Sequence, residues 1–232
     1  MAFTGDIFLM NKLEVLYEDN HVIVVVKPCN VLSQADATGD MDMLTLIKAY
    51  LKEKYQKPGN VYLGLVHRLD RPVGGIMVFA KTSKAAARLS KQVQKHELDK
   101  QYYAIICGKM NDKKGEFCDY LKKLPNGNTI VVSSDDPEGK EAKLFYQVVK
   151  EKGSYSLVRI QLLTGRHHQI RVQFASRSYP LLGDRRYGGD PAEQLSLYSY
   201  YLAFFHPISK EKLVFEKEPC GKVWQSFFSD RD

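Results

Sequence analysis

Cysteine is scarce and unpatterned in this chain of 232 residues. Cys29, Cys107, Cys118 and Cys220 lie far apart and form no CxxC pair. That spacing argues against a disulfide framework at this length and leaves a zinc site without its closely spaced ligands. Histidine offers no replacement. Of six histidines, His167 and His168 are adjacent and would point in different directions on a helix, whereas zinc motifs place them at i and i+4. No metal site is expected. Long apolar runs are missing too: nothing approaches the roughly eighteen residues of a membrane span. The opening segment MAFTGDIFLMNKLEV has neither a basic leader nor a small-residue cleavage site, so a cytoplasmic protein is expected. There is no low-complexity tract, no repeat, no clear linker and no nucleotide-binding loop.

What is present is a globular composition, 44% hydrophobic and 26% charged, with a net charge of +7. That excess is compatible with a polyanionic partner or with a solvated lysine surface. Distribution says more than the sum. Arginines crowd into HRLDR, GRHHQIR and GDRRYGG, while lysines are spread along the chain. A planar guanidinium fork suits phosphates and bases, so the clustering favours nucleic acid.

Val22–Val26 is a β-branched run closed by Lys27-Pro28 and reads as a buried strand. Met43 to Tyr55 carries apolar residues at helical spacing, with Pro58-Gly59 after it. Gly75–Ala80 reads as a strand. Thr82 or Ser83 then caps a helix over KAAARLSKQVQKHEL, with Ala86, Leu89 and Val93 as its stripe. Further strands are predicted at Gln101–Cys107, Thr129–Ser133, Leu144–Lys150, Tyr155–Leu163 and Lys212–Glu216, and a short helix from Gly165 or Arg166 to Ser176. Strands outnumber helices without alternating with them. The expectation is an α+β fold, a mixed and mostly antiparallel sheet flanked by helices.

The segment Leu65-Val-His-Arg-Leu-Asp-Arg-Pro-Val-Gly-Gly75 leads straight into the strand IMVFAK. Its proline and glycines force a turn. If residues 67–70 are extended, Arg68 and Asp70 share one face, and His67 and Leu69 the other. A carboxylate and a guanidinium are thus presented together at a tight loop. A structural ion pair or an Asx turn would explain such an aspartate as well as catalysis would.

HRLDRPVGGIMVFAK resembles the HRLD motif of the RluA family of pseudouridine synthases. Two more blocks match in order: Lys100-Gln101-Tyr102 with AIICG resembles that family's Lys-x-Tyr strand, and LTGRHHQIRVQFA resembles its TGRxHQIR segment. Pro180-Leu-Leu-Gly-Asp184 and a Phe-His-Pro turn at 205–207 also fit. The likeness runs from about residue 16 to about residue 219. It departs at Val73-Gly74-Gly75, where the family commonly has Thr-Ser-Gly, and at Tyr198-Ser199-Tyr200, where Leu-His-Ala is frequent. It implies a single catalytic domain over 1–232, without the small S4 domain of some relatives.

The resemblance further implies isomerisation of uridine to pseudouridine in structured RNA, ribosomal or transfer, with no cofactor, no membrane and no protein partner. It makes Asp70 the catalytic carboxylate, as nucleophile or as base on the ribose. Arg171 is the candidate cation beside it, with Arg166 the rival. Tyr102 would lie against the base and move a proton. Arg68 would fill the stack left by the extruded nucleotide, a place suited to a long planar cation. Arg166, Lys100 and His67 complete the set of candidate RNA contacts, although His67 also reads as a structural histidine. The rival readings are a non-catalytic RNA-binding protein and a hydrolase. The second would need a GxSxG elbow or a metal cluster, and the sequence has neither.

Overall fold

Asp19 starts the architecture. Its Oδ1 accepts the N–H groups of His21 and Val22, both at 2.7 Å, and so turns the chain between Glu14–Glu18 (β1) and Val22–Lys27 (β2). The computed structural model describes residues 13–229. Their packing forms two units, one made of the chain through Leu98 with Leu202–Lys217, the other of Asp99–Tyr201 with the residues from Glu218 onward.

In the first unit β2 pairs antiparallel with β4 (Gly74–Ala80), Val22 opposite Ala80 and Lys27 opposite Gly75. The two-residue strand β3 (Gly64–Leu65) also lies along β4. β4 is buried along its whole length, which explains its unbroken apolar sequence. Helix α1 (Met43–Lys54) begins at Asp42, whose carboxylate accepts from Leu44 N at 2.9 Å and Thr45 N at 3.2 Å. Helix α2 (Ser83–Gln94) is capped by Thr82, whose Oγ1 accepts from Ala85 N. Its buried line is Ala85, Leu89 and Gln92, with Ala86 and Val93 half-buried beside it, one position round from the stripe expected. The helix stops short of the predicted Leu98 because His96 turns left-handed (φ 57°) and the N–H groups of residues 95–97 fold back onto Lys91, Val93 and Gln92. Leu89 packs with Val22, Val24, Ile76, Val78, Leu202 and Phe204. Each such side chain contributes about 1.5–3 kcal/mol through burial.

The second unit is an antiparallel array in the order β5 (Asp99–Cys107), β9 (Tyr155–Leu162), β8 (Lys140–Lys152), β6 (Lys114–Lys123), β7 (Thr129–Val132). Helix α3 (Gln169–Ala175) and helix α4 (Lys222–Phe228) belong to it. Strand β10 (Leu197–Phe205) supplies Leu197–Tyr201 to this unit and Leu202–Phe205 to the first, where β11 (Lys212–Glu216) is found. The α+β class is as expected, with antiparallel pairing throughout these registers and a parallel bridge between Leu32 and Asp42.

Helix α3 corrects the sequence reading. It starts at Gln169, not at Gly165 or Arg166, because His168 is left-handed (φ 51°) and the side chain of Gln169 ties the preceding loop. Its Oε1 accepts from Thr164 Oγ1 (2.8 Å) and Arg166 N (3.0 Å), while its Nε2 donates to Lys143 O (3.1 Å). Arg166 therefore sits on a loop, and helical angles do not relate it to Arg171.

Candidate active site

The turn carrying Asp70 is fixed by groups distant in sequence. Ser33 Oγ donates to Leu69 O at 2.7 Å and accepts from Leu69 N at 3.1 Å, so one buried hydroxyl satisfies both backbone groups of the residue before the aspartate. Val73 N donates to Asp70 O at 2.9 Å and closes the turn over Arg71 and Pro72. Beneath it lies Lys27, the last residue of β2 and fully buried. Its ammonium donates to Val31 O (2.5 Å), Arg71 O (3.0 Å) and Pro28 O (3.1 Å). Burial brings this lysine from its ordinary 10.5 down to about 8, against the opposing pull of Cys29 and Asp70. The neighbouring Cys29 thiol is pushed up by burial. Next to the turn, Gly75 adopts φ 127°, a conformation that side-chain-bearing residues avoid.

Side chains alternate along 67–70 as expected. Leu69 is buried, and His67 Nε2 accepts the β4 amide of Val78 at 3.1 Å, while Arg68 is exposed and Asp70 half-buried. His67 thus has a structural task at Nε2, which must be unprotonated to accept. Among the described residues, Arg68 makes no hydrogen bond or ion pair within the protein, which leaves its guanidinium in solvent.

In the second unit Tyr102 is buried on β5, opposite Ile160. Tyr103 faces the other way, stacked on Tyr200 at 4.0 Å and edge-on to Phe228, as a core tyrosine does. Lys100 is half-buried and its pKa is lowered by burial. Its Nζ lies 3.3 Å from where a Cβ on Gly165 would stand. Arg171, on α3, is 6% exposed and clasps Asp184 through two parallel bonds, Nε to Oδ2 at 2.7 Å and Nη2 to Oδ1 at 2.8 Å. Its guanidinium also stands over the Tyr187 ring, 5.1 Å from the centroid. Asp184 is itself buried, so this is a desolvated, bidentate pair that fixes the arginine's plane. The pair engages Nε and Nη2 of the guanidinium.

Tyr187 extends the network. Its oxygen accepts Thr129 N at 2.9 Å and also shares a hydrogen bond with His168 Nδ1 at 2.8 Å. Burial, then the charges of Arg171, His167, Arg186 and Lys123, hold the His168 pKa down near 3, so that imidazole is neutral at physiological pH. His167 stacks on His168 at 3.8 Å and meets Thr129 Oγ1 through Nδ1 at 2.8 Å. Arg166 lies outside this buried cluster, exposed, with Nε donating to Glu141 O at 2.8 Å.

Four residues carry this framework without having been read as doing so: Lys27, Ser33, Asp184 and Tyr187. Lys27 left one signal, a lysine closing a wholly apolar strand. Asp184 lay in a recognised Pro-Leu-Leu-Gly-Asp stretch, but nothing in its spacing tied it to Arg171, thirteen residues away.

Comparison with known proteins identifies the family and the fold. The family model described as RNA pseudouridylate synthase matches residues 21–176. An RNA pseudouridine synthase of Aquifex aeolicus is 34% identical over 221 residues, spanning 89% of this chain and 69% of that protein. The Bacillus subtilis RNA pseudouridine synthase YhcT is 35% identical over 210 residues, spanning 88% and 68%. The ribosomal large subunit pseudouridine synthase D of Pasteurella multocida is 34% identical over 219 residues, spanning 86% and 65%. The chain thus spans about two thirds of the length of these relatives. Among solved structures, human RNA pseudouridylate synthase domain containing 4 shares the fold with a TM-score of 0.79 at 20% identity, over 95% of this chain and 94% of that one. The chain belongs to the RNA pseudouridine synthase family and is an isomerase of the RluA type.

Proposed function

We propose that this protein isomerises particular uridines in ribosomal RNA, with Asp70 as the carboxylate that attacks the nucleotide or acts as base on its ribose. The observation that carries this reading is the Asp70 turn. A half-buried carboxylate is set beside an exposed arginine on a loop braced by Ser33 and Lys27. Bracing of that kind holds a reacting group within the narrow geometry catalysis requires. In the reaction the bond between N1 and C1′ breaks, the uracil turns, and C5 bonds to C1′. C5 loses a proton and N1 gains one, so no net redox change occurs and no electron carrier is required.

Tyr102 is proposed to stack on the base and carry the proton lost from C5. Arg171 is proposed to hold the reacting carboxylate ionised and aimed. Arg68, Lys100 and Arg166 are proposed to contact the RNA, and His67 to support the loop. The two units are read as parts of one catalytic domain, since β10 supplies residues to each. Ribosomal RNA is the favoured substrate because a relative carries that substrate in its name. A cytoplasmic site of action follows from such a substrate.

Mapping pseudouridines in total RNA from cells with and without the gene tests the reading. Loss of specific sites in ribosomal RNA is expected, and an unchanged map would overturn it. Turnover on the mapped RNA, folded beforehand, should survive exhaustive EDTA treatment. A strict requirement for added zinc would reveal a ligand set outside this account.

A further inference from the structure

The second unit also contains a cleft of about 460 Å³ whose lining includes three lysines and an arginine. It is lined by the ends of β6 and β8 (Lys122, Lys123, Lys140), Thr129 of β7, Glu138, and the loop Gly165–His167. We infer that this cleft binds backbone phosphates of the RNA substrate. The inference rests on the reading of the chain as an RNA-modifying enzyme and adds a second contact surface to it.

The balance of charge inside the cleft carries the case. Its carboxylate, Glu138, is already matched: Lys122 Nζ lies 2.6 Å from Glu138 and 3.2 Å from Asp136. Asp136 in turn accepts Glu138 N at 2.9 Å, which fixes the loop that presents Glu138. Lys122 and the two acids thus form a set with one carboxylate in excess, against which Lys123, Lys140 and Arg166 still leave the cleft with a positive surplus. Lys123 and Lys140 are exposed and make no ion pair among the described residues. Arg166 uses only Nε internally, on Glu141 O, which leaves its terminal nitrogens to the cleft. His168, whose pKa is lowered first by burial and then by Arg171 and His167, also feels Arg186 and Lys123. Three unmatched cations around one concavity suit an anion, and the β-hairpin backbone holds two of them at fixed stations. Leu121 pairs with Lys140 across β6 and β8, and Lys123 with Thr129 across β6 and β7. Phosphate is the matching class: it accepts from several donors at once and needs no base-edge code.

The test is binding of a short fluorescein-labelled RNA hairpin across about 50–200 mM KCl, where each neutralised duplex phosphate contributes about 0.9 to the slope of log K against log salt. The variant Lys123→Glu/Lys140→Glu should bind at least tenfold more weakly at the low-salt end, with a slope shallower by about 1–2. Lys123→Gln/Lys140→Gln should show the same change in smaller measure, and circular dichroism melts should match wild type for both. Lys48→Glu/Lys84→Glu, on exposed positions of α1 and α2, gives the same change of net charge and should leave the slope as it is. An unaltered slope in the cleft variants, or an equal loss in the control, would overturn the inference. Binding is read without turnover. A wild-type protein that binds the hairpin yet forms no pseudouridine in any RNA would refute the isomerase reading and leave the cleft in place.

Discussion

The two charged groups central to the proposed chemistry are held by opposite means. Asp70 rides on a turn whose bracing is almost wholly backbone: a serine hydroxyl on both polar groups of Leu69, and a buried lysine on three carbonyls. Arg171 is held by a side chain of opposite charge, buried and bidentate. The difference follows from what each group must keep. In the proposed chemistry the carboxylate would turn its oxygens to the substrate, and the turn that carries it is fixed through its backbone. A guanidinium with several donors can give two of them to a permanent partner and still present another. Breaking the first arrangement should therefore cost chemistry or stability separately, whereas breaking the second should cost both at once.

The largest effect is expected from Asp70→Asn. The amide matches the carboxylate in size, and Ser33 and Lys27 brace the turn through backbone groups. Pseudouridine formation should be abolished, with the melting temperature and RNA affinity close to wild type. Measurable turnover in single-turnover assays would remove Asp70 from the mechanism. Arg171→Ala should come next. The chemical step should slow by on the order of several kcal/mol in the barrier. Because Asp184 is left buried and unpaired, stability should also fall by about 3–5 kcal/mol. The double change Arg171→Met/Asp184→Leu separates the two losses, since removing both charges should restore much of the stability and none of the rate. Denaturant unfolding together with rapid quench would show it, and recovery of the rate would reduce Arg171 to a structural role.

Lys27→Met should act on stability, lowering the melting temperature by about 2–8 °C, as carbonyls lose a buried donor. The effect carries a pH signature. The unfolded chain keeps the lysine proton up to about 10.5 and the folded chain releases it near 8. Between those values the unfolded state binds more protons, so wild-type stability gains with rising pH and the deficit of Lys27→Met should widen. A deficit that stays flat from pH 7 to 10 would contradict the depressed lysine. The smallest effect is expected from Arg68→Ala, which should impair a structured stem-loop more than an unstructured strand with the same uridine, since unstacking costs less in the latter. Equal losses on both would leave Arg68 an ordinary phosphate contact.

Local pattern alone was enough for the elements with strong punctuation. The β-branched run at Val22, the capped helix after Thr82 and the HRLDRP turn all form where the residues imply, because β-branching, N-caps and proline act within a few residues. The alternation that exposes Arg68 and half-buries Asp70 was legible for the same reason. Strand β6, with five charged residues in ten, was not legible, because its pairing with β7 and β8 supplies what its composition does not. Strand β10 hid its register in a run of tyrosine and phenylalanine buried on both faces. The start of α3 depended on one glutamine amide reaching back to Thr164 and Lys143.

The sequence by itself determined the family, through three ordered motifs, and that resemblance singled out Asp70 and the arginines as the candidates for the proposed chemistry. Only the tertiary structure decided that Ser33 and Lys27 brace the turn and that Asp184 holds Arg171. It also decided that Lys122 pairs with Glu138 in the basic cleft. Each of those depends on a hydrogen bond or ion pair between residues that the chain separates and folding brings together. Directional contacts of that kind leave no periodicity to read.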